Sequence, residues 1–124
     1  MKIKAIYDDT LKFDNGMALS SYHCQECCET HYADFDVLCG YNINPKTGQD
    51  IDIRDIEFNE DIENYIQLVD GMGFNLIAKD GSKYFVPCYA TNNGYYNSRL
   101  TLEILNMDHI MKEIGISKCQ QWEY

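Results

Sequence analysis

The sequence predicts an α+β protein, a single domain over residues 1–124 built mainly on antiparallel β-sheet with one or two short helices, and three features point that way. Asn15-Gly16 and Asp80-Gly81 each stand between runs in which apolar and polar residues alternate, the signature of a β-hairpin, because such dipeptides accept the positive φ of a tight turn. Between the hairpins, Ile62, Tyr65, Ile66 and Val69 recur at i, i+3, i+4 and i+7, the spacing of one helix face. The length of 124 residues suits one core, since domains of about this size hide roughly two thirds of their unfolded surface.

Taken in order, Ile3 to Tyr7 reads as a strand, followed by a hairpin of Thr10–Asp14 and Met17–Tyr22 with Leu11, Phe13, Met17 and Leu19 on its buried face. Gly40 to Gly48 is dense in turn formers and reads as a loop. Asp50 to Phe58 alternates acid and apolar around a break at Arg54-Asp55, which predicts a bulged strand with an acidic outer face. Asn59 can then cap a helix running to Val69, with Glu60, Asp61 and Glu63 in its first turn and Gly71 beyond its end. Phe74–Ala78 and Lys83–Tyr89 form the second hairpin, and Pro87, which has no N–H to donate, pushes its strand towards an edge or a bulge. Leu100, Leu102 and Ile104 alternate as a further strand, and Met107 to Ile114 reads as a short helix ended by Gly115.

Composition narrows the classes. With 45% hydrophobic residues, ten tyrosines and only two prolines, the chain is not of the disordered type. The opening Met1 to Asp9 carries charge but no apolar run of signal-peptide length, and nothing approaches a bilayer-spanning stretch, so a cytoplasmic protein is expected. Six cysteines fall below disulfide-scaffold density, and in that compartment they would stay thiols or metal thiolates; three disulfides in an exported protein are the alternative, although bonding the neighbours Cys27 and Cys28 to each other would demand strained geometry.

The net charge of −10 is unevenly spread. Residues 26–63 hold eleven acids against Lys46 and Arg54, a balance of −9, whereas the stretches before and after are close to neutral. Such a field repels nucleic acid and anionic lipid and attracts basic protein grooves, over a reach of about 8 Å at physiological salt. Asp50, Asp52, Asp55, Glu57, Glu60, Asp61 and Glu63 are the candidate partner-binding residues.

Chemistry could concentrate in one further place, His23-Cys24-Gln25-Glu26-Cys27-Cys28-Glu29-Thr30-His31. Helical spacing would put Cys24, Cys27, Cys28 and His31 on one stripe, a ligand set suited to zinc, whereas strand spacing would align His23, Gln25, Cys27, Glu29 and His31. Structural zinc sites usually draw a second cysteine pair from a distant segment, and Cys39, Cys88 and Cys119 are isolated. A zinc deaminase is ruled out by pattern: Gln25 stands where a glutamate is needed, and Pro87-Cys88 is not followed by a second cysteine. A thiol nucleophile at Cys27 or Cys28 with His23 as base is the remaining enzymatic reading. No phosphate loop, nucleophile elbow or dinucleotide fingerprint is present, and no catalytic residue is assigned.

Two segments, His23-Cys24-Gln25-Glu26-Cys27-Cys28-Glu29 and Thr91-Asn92-Asn93-Gly94-Tyr95-Tyr96-Asn97-Ser98, resemble the paired motifs of a family of short uncharacterised bacterial and phage proteins. In that family the motifs read His-x-Gln-Asp-Cys-Cys-Glu and Ser-Asn-Gly-Tyr-Tyr-Ser. Here glutamate replaces aspartate at 26, and Asn97 stands in place of the serine after the tyrosines. The resemblance marks His23, Gln25, Glu26, Cys27, Cys28, Glu29, Asn93, Gly94, Tyr95 and Tyr96, and implies a compact β-rich fold, phage or mobile-element context and no established reaction. Motifs that recur together would be neighbours in space, bracing one corner of the sheet.

The expected function is therefore that of a small acidic interaction protein without a cofactor, occupying the basic groove of a host nucleic-acid-binding protein, such as a CRISPR-type defence nuclease. The alternative is a zinc-binding or thiol-dependent enzyme centred on His23 to His31.

Overall fold

The structure, a computed structural model, describes residues 1–21, 30–91, 100–116 and 120–121, with backbone alone at 30, 31, 90, 91, 120 and 121. Ten strands are seen among these residues: β1 (Ile3–Ile6), β2 (Thr10–Phe13), β3 (Met17–Ser20), β4 (Thr30–Ala33), β5 (Ile66–Val69), β6 (Gly73–Ile77), β7 (Lys83–Thr91), β8 (Leu100–Asn106), β9 (His109–Ile116) and β10 (Gln120–Gln121). They form two sheets. The first has the order β1-β2-β3-β8-β9, antiparallel throughout. The second is built on β7, which pairs antiparallel with β6 over Lys83–Pro87 and with β4 over Cys88–Thr91; β5 extends it beyond β6, and β10 lies parallel to Tyr89–Ala90.

Among the described residues the helical content is three 3₁₀ turns, Phe35–Gly40, Ile53–Asp55 and Ile62–Tyr65, so the architecture is mainly antiparallel β and the α+β label holds only loosely. The two expected helices are corrected. Of Asn59–Val69, only Ile62–Tyr65 turns, with Asp61 rather than Asn59 at its cap; Ile66–Val69 is the strand β5, whose ladder to β6 satisfies backbone groups that a helix would have bonded internally. The β-branched Ile66 and Val69 favour a strand where a partner is at hand, and β6, following after a tight turn, supplies it. Met107–Ile114 is likewise no helix: Met107 and Asp108 form a two-residue turn, and β9 returns along β8.

The expected strand Asp50–Phe58 is also replaced. Only single bridges, Ile43 to Asp50 and Phe58 to Ala78, survive of it. Asp52 Oδ1 accepts from Arg54 N at 3.0 Å, a local bond that competes with a sheet ladder and starts a 3₁₀ turn instead. Pro87 closes the stretch of β7, Lys83–Pro87, that pairs with β6 alone among the described strands, so β7 has one open side up to the proline and β4 joins only from Cys88.

Both predicted hairpins are present. The first connection has three residues (14–16) and the second five (78–82), with Gly16 (φ 90°) and Gly81 (φ 85°) alone in the left-handed region, and Asn15 Oδ1 accepts from Met17 N at 3.1 Å.

One apolar cluster draws on both sheets: Leu11, Leu19, Leu102 and Ile104 from the first, and Phe74, Leu76, Tyr84 and Val86 from the second. Phe58, fully buried, joins them. Its ring meets Phe13 of β2 edge-on at 5.8 Å and Tyr84 of β7 at 6.0 Å, and Tyr84 in turn meets Tyr41 at 5.2 Å. Offset edge-to-face contacts of this kind add about 0.5–1.5 kcal/mol each beyond the area they bury.

Candidate interaction surface

Residues 50–65 run between the sheets as an irregular strap whose side chains sort by polarity. Ile53, Phe58 and Ile62 are buried, Ile51 and Ile56 are packed partly against the core, and every acid between them faces solvent. The separation has a simple cause, since an unpaired carboxylate cannot leave water without a penalty of several kcal/mol while each large apolar side chain gains about 1.5–3 kcal/mol by doing so.

All seven candidate partner-binding acids, Asp50, Asp52, Asp55, Glu57, Glu60, Asp61 and Glu63, are exposed and lie on this one strap. Two of them are in ion pairs. Glu57 sits 3.9 Å from Lys2 Nζ and 3.2 Å from the Met1 amine, and Glu63 contacts Lys112 of β9. Asp52 and Asp61 make only local hydrogen bonds, to Arg54 N and to Asn64 Nδ2. For Asp50, Asp52, Asp55, Glu60 and Asp61, no ion pair is formed among the described residues, so their charge faces outward unneutralised.

Other acids have different surroundings. A hydrogen bond with Asp8 raises the Asp36 pKa, and desolvation with the charges of Asp8 and Asp34 raises it further. Asp80 is held below the usual carboxylate range chiefly by the Ser82 hydroxyl at 2.5 Å, then by Ser82 N at 2.9 Å, with Asn44 Nδ2 at 3.0 Å and the Lys46 charge adding to the effect.

His23, Cys24, Gln25, Glu26, Cys27, Cys28, Glu29, Asn93, Gly94, Tyr95 and Tyr96 lie outside the described residues, as does the side chain of His31. The strands at their ends are described. Thr30, just after the first motif, is opposite Thr91, where the second begins, and β3 and β8, which precede the first and follow the second, also pair. The two motif segments thus connect the same two pairs of neighbouring strands. On the described side of this junction Tyr32 and Tyr89 stack at 5.4 Å, and burial, then Asp34, then Tyr89 raise the Tyr32 pKa.

Of the cysteines, Cys39 is exposed and Cys88 buried, and among the described residues no group of three or more His, Cys, Asp or Glu could hold a metal ion. No helix among them is long and apolar enough to cross a membrane.

A second feature beside the strap has no counterpart in the sequence reading. Met17, Ile62, Ile104 and Met111 line a groove of about 430 Å³ between the strap and the β8–β9 hairpin, with Glu60, Asp61 and Glu63 on its rim. It was hidden because Met111 belongs to a segment whose spacing reads as a helix.

No family model matches the chain, and neither a curated protein nor a solved structure is significantly similar to it.

Proposed function

We propose that this protein is an acidic interaction protein whose strap occupies a basic, nucleic-acid-binding groove on another protein and so excludes the groove's own ligand. The observation that carries the reading is the sorting of residues 50–65: the apolar side chains are inside, seven carboxylates are outside, and five of these lack an ion pair among the described residues. Carboxylates spaced along the strap can stand in for backbone phosphates, steering encounter with a cationic surface. The resemblance of the two cysteine and tyrosine motifs to phage and mobile-element proteins makes a host defence nuclease, of CRISPR type for example, the natural partner.

The test is capture and competition. The variant carrying Asp50→Asn, Asp52→Asn, Glu57→Gln, Glu60→Gln and Asp61→Asn should keep cooperative melting, because four of these acids are exposed and form no ion pair among the described residues, and the Met1 amine that Glu57 meets keeps its hydrogen bond to Phe58 O at 2.8 Å. It should lose capture of a basic partner that the natural sequence binds at low salt and releases at high salt. The natural sequence should also displace nucleic acid from that partner. Undiminished capture by the neutralised variant would remove the electrostatic basis of the proposal.

A further inference from the structure

The strap's charge accounts for attraction to a cationic surface but not for a fixed pose on it. The groove beside it supplies one. β9 makes a bulge: Ile104 is opposite Lys112 and Leu105 opposite Ile110, which leaves Met111 as the extra residue, turned out of the ladder. Met111 is 65% exposed and lines the groove together with Met17, Ile62 and Ile104. Among the described residues seven large apolar side chains are exposed, and three of these, Met107, Ile110 and Met111, sit on this one hairpin. An unbranched thioether adapts its shape to what it meets, which is why methionine recurs on docking surfaces.

The wall is held in place. Met107 N donates to Gly16 O at 3.0 Å, tying the tip of β8–β9 to the tip of β2–β3, and Lys112 bridges to Glu63 across the groove. Both residues of the tip, Met107 (φ 52°) and Asp108 (φ 67°), keep a left-handed conformation that non-glycine residues seldom adopt. A pre-formed wall reduces the ordering lost on binding.

We infer that this groove docks a cationic segment of the partner that bears a large aliphatic side chain beside a lysine or arginine. Met17, Ile62, Ile104 and Met111 give the groove its apolar lining, with Asn15 and Asn106 beside them, and the rim sets Glu60, Asp61 and Glu63 against the single ammonium of Lys112, which Glu63 already pairs. The aliphatic side chain would enter between Met17 and Met111 while the neighbouring cation meets Glu60 or Asp61. A second copy of this chain would instead bring the same acidic rim against this one. The inference deepens the proposed function and rests on it.

The test uses the full chain and three labelled peptides of equal length, alternating lysine with leucine, lysine with serine, and glutamate with leucine, followed by fluorescence anisotropy. The lysine–leucine peptide should bind most tightly. Met111→Ser should weaken it about tenfold, the loss expected for one large apolar contact, as should Glu60→Gln with Asp61→Asn. Leu68→Ser, which alters an exposed apolar residue of β5 outside the groove, should leave binding within about twofold. Equal binding of the two lysine peptides with no effect of Met111→Ser would overturn the groove while leaving the acidic strap in force. Failure of every lysine peptide to bind at low salt would remove both. A dimer in sedimentation that Met111→Ser converts to monomer would overturn the proposal by giving the groove to a second copy.

Discussion

The Asn44 side-chain amide donates to Asp80 Oδ2 at 3.0 Å, so two turns 36 residues apart share one hydrogen-bonded corner. Asn44 is nearly buried, and its Oδ1 also accepts from Lys46 N at 2.8 Å, while Asp80 Oδ1 accepts twice from Ser82. Asn44→Asp would set two carboxylates face to face, and a loss of about 2 kcal/mol in urea unfolding is expected at neutral pH. Acidification should shrink that loss, since protonating either carboxyl restores a donor. An equal loss at neutral and acid pH would show that charge is not its cause.

The same corner fixes the sign of one pH effect. Asp80 has a folded-state pKa below its unfolded value, so its stabilisation is present above the ordinary carboxylate value of about 3.9 and is lost as pH falls through the lower folded value. Stability of Asp80→Ala should therefore fall below that of the natural sequence at neutral pH, and the two acid-unfolding curves should converge at the acid end.

Asp36 works in the opposite sense. Its folded-state pKa is raised, first by the hydrogen bond with Asp8, so the contribution of that pair is full below the unfolded value and lost as pH rises through the folded one. At neutral pH the two carboxylates repel. Asp36→Asn is expected to raise the melting temperature at neutral pH, with the advantage fading on acidification; a lowered melting temperature at neutral pH would contradict this geometry.

Asp108 distinguishes the hairpin from the helix that the spacing suggested. At φ 67° it holds a conformation that glycine adopts freely, so Asp108→Gly should stabilise the protein by about 0.5–1 kcal/mol. In a helix the same change would destabilise by a similar amount. Chemical denaturation gives the sign directly.

This turn also shows what the sequence conceals. Asn15-Gly16 and Asp80-Gly81 announce hairpins because glycine supplies the positive φ, and both are found with their flanking strands. Met107-Asp108 makes a tight turn with no glycine, so the apolar residues after it were free to fit a helical period by chance. Ile66 to Val69 misleads for another reason: their helical spacing is silent about β6, whose residues four to ten positions further on pair with them. The acidic candidates could be read from charge alone, and they are all exposed. The groove could not be, because Met17, Ile62, Ile104 and Met111 meet only once three distant segments are folded.

Two glycines of one connection separate backbone conformation from space. Gly71 has φ 75° with open room around it, so a methyl group there meets only the left-handed strain, and Gly71→Ala should lose about 1 kcal/mol. Gly73 begins β6 at φ 154°, and a Cβ built on it would lie 2.2 Å from Val86 O and 2.9 Å from Cys88 N. Both obstacles are backbone atoms of β7, so no side chain can swing aside to make room. Relief requires β6 and β7 to part where Cys88 N donates to Met72 O at 3.0 Å and Phe74 and Val86 enter the core. Gly73→Ala should accordingly lose about 3 kcal/mol or more, well beyond Gly71→Ala, with hydrogen exchange accelerated along β6. Similar losses for the two variants would mean that the strands do not approach as closely as described.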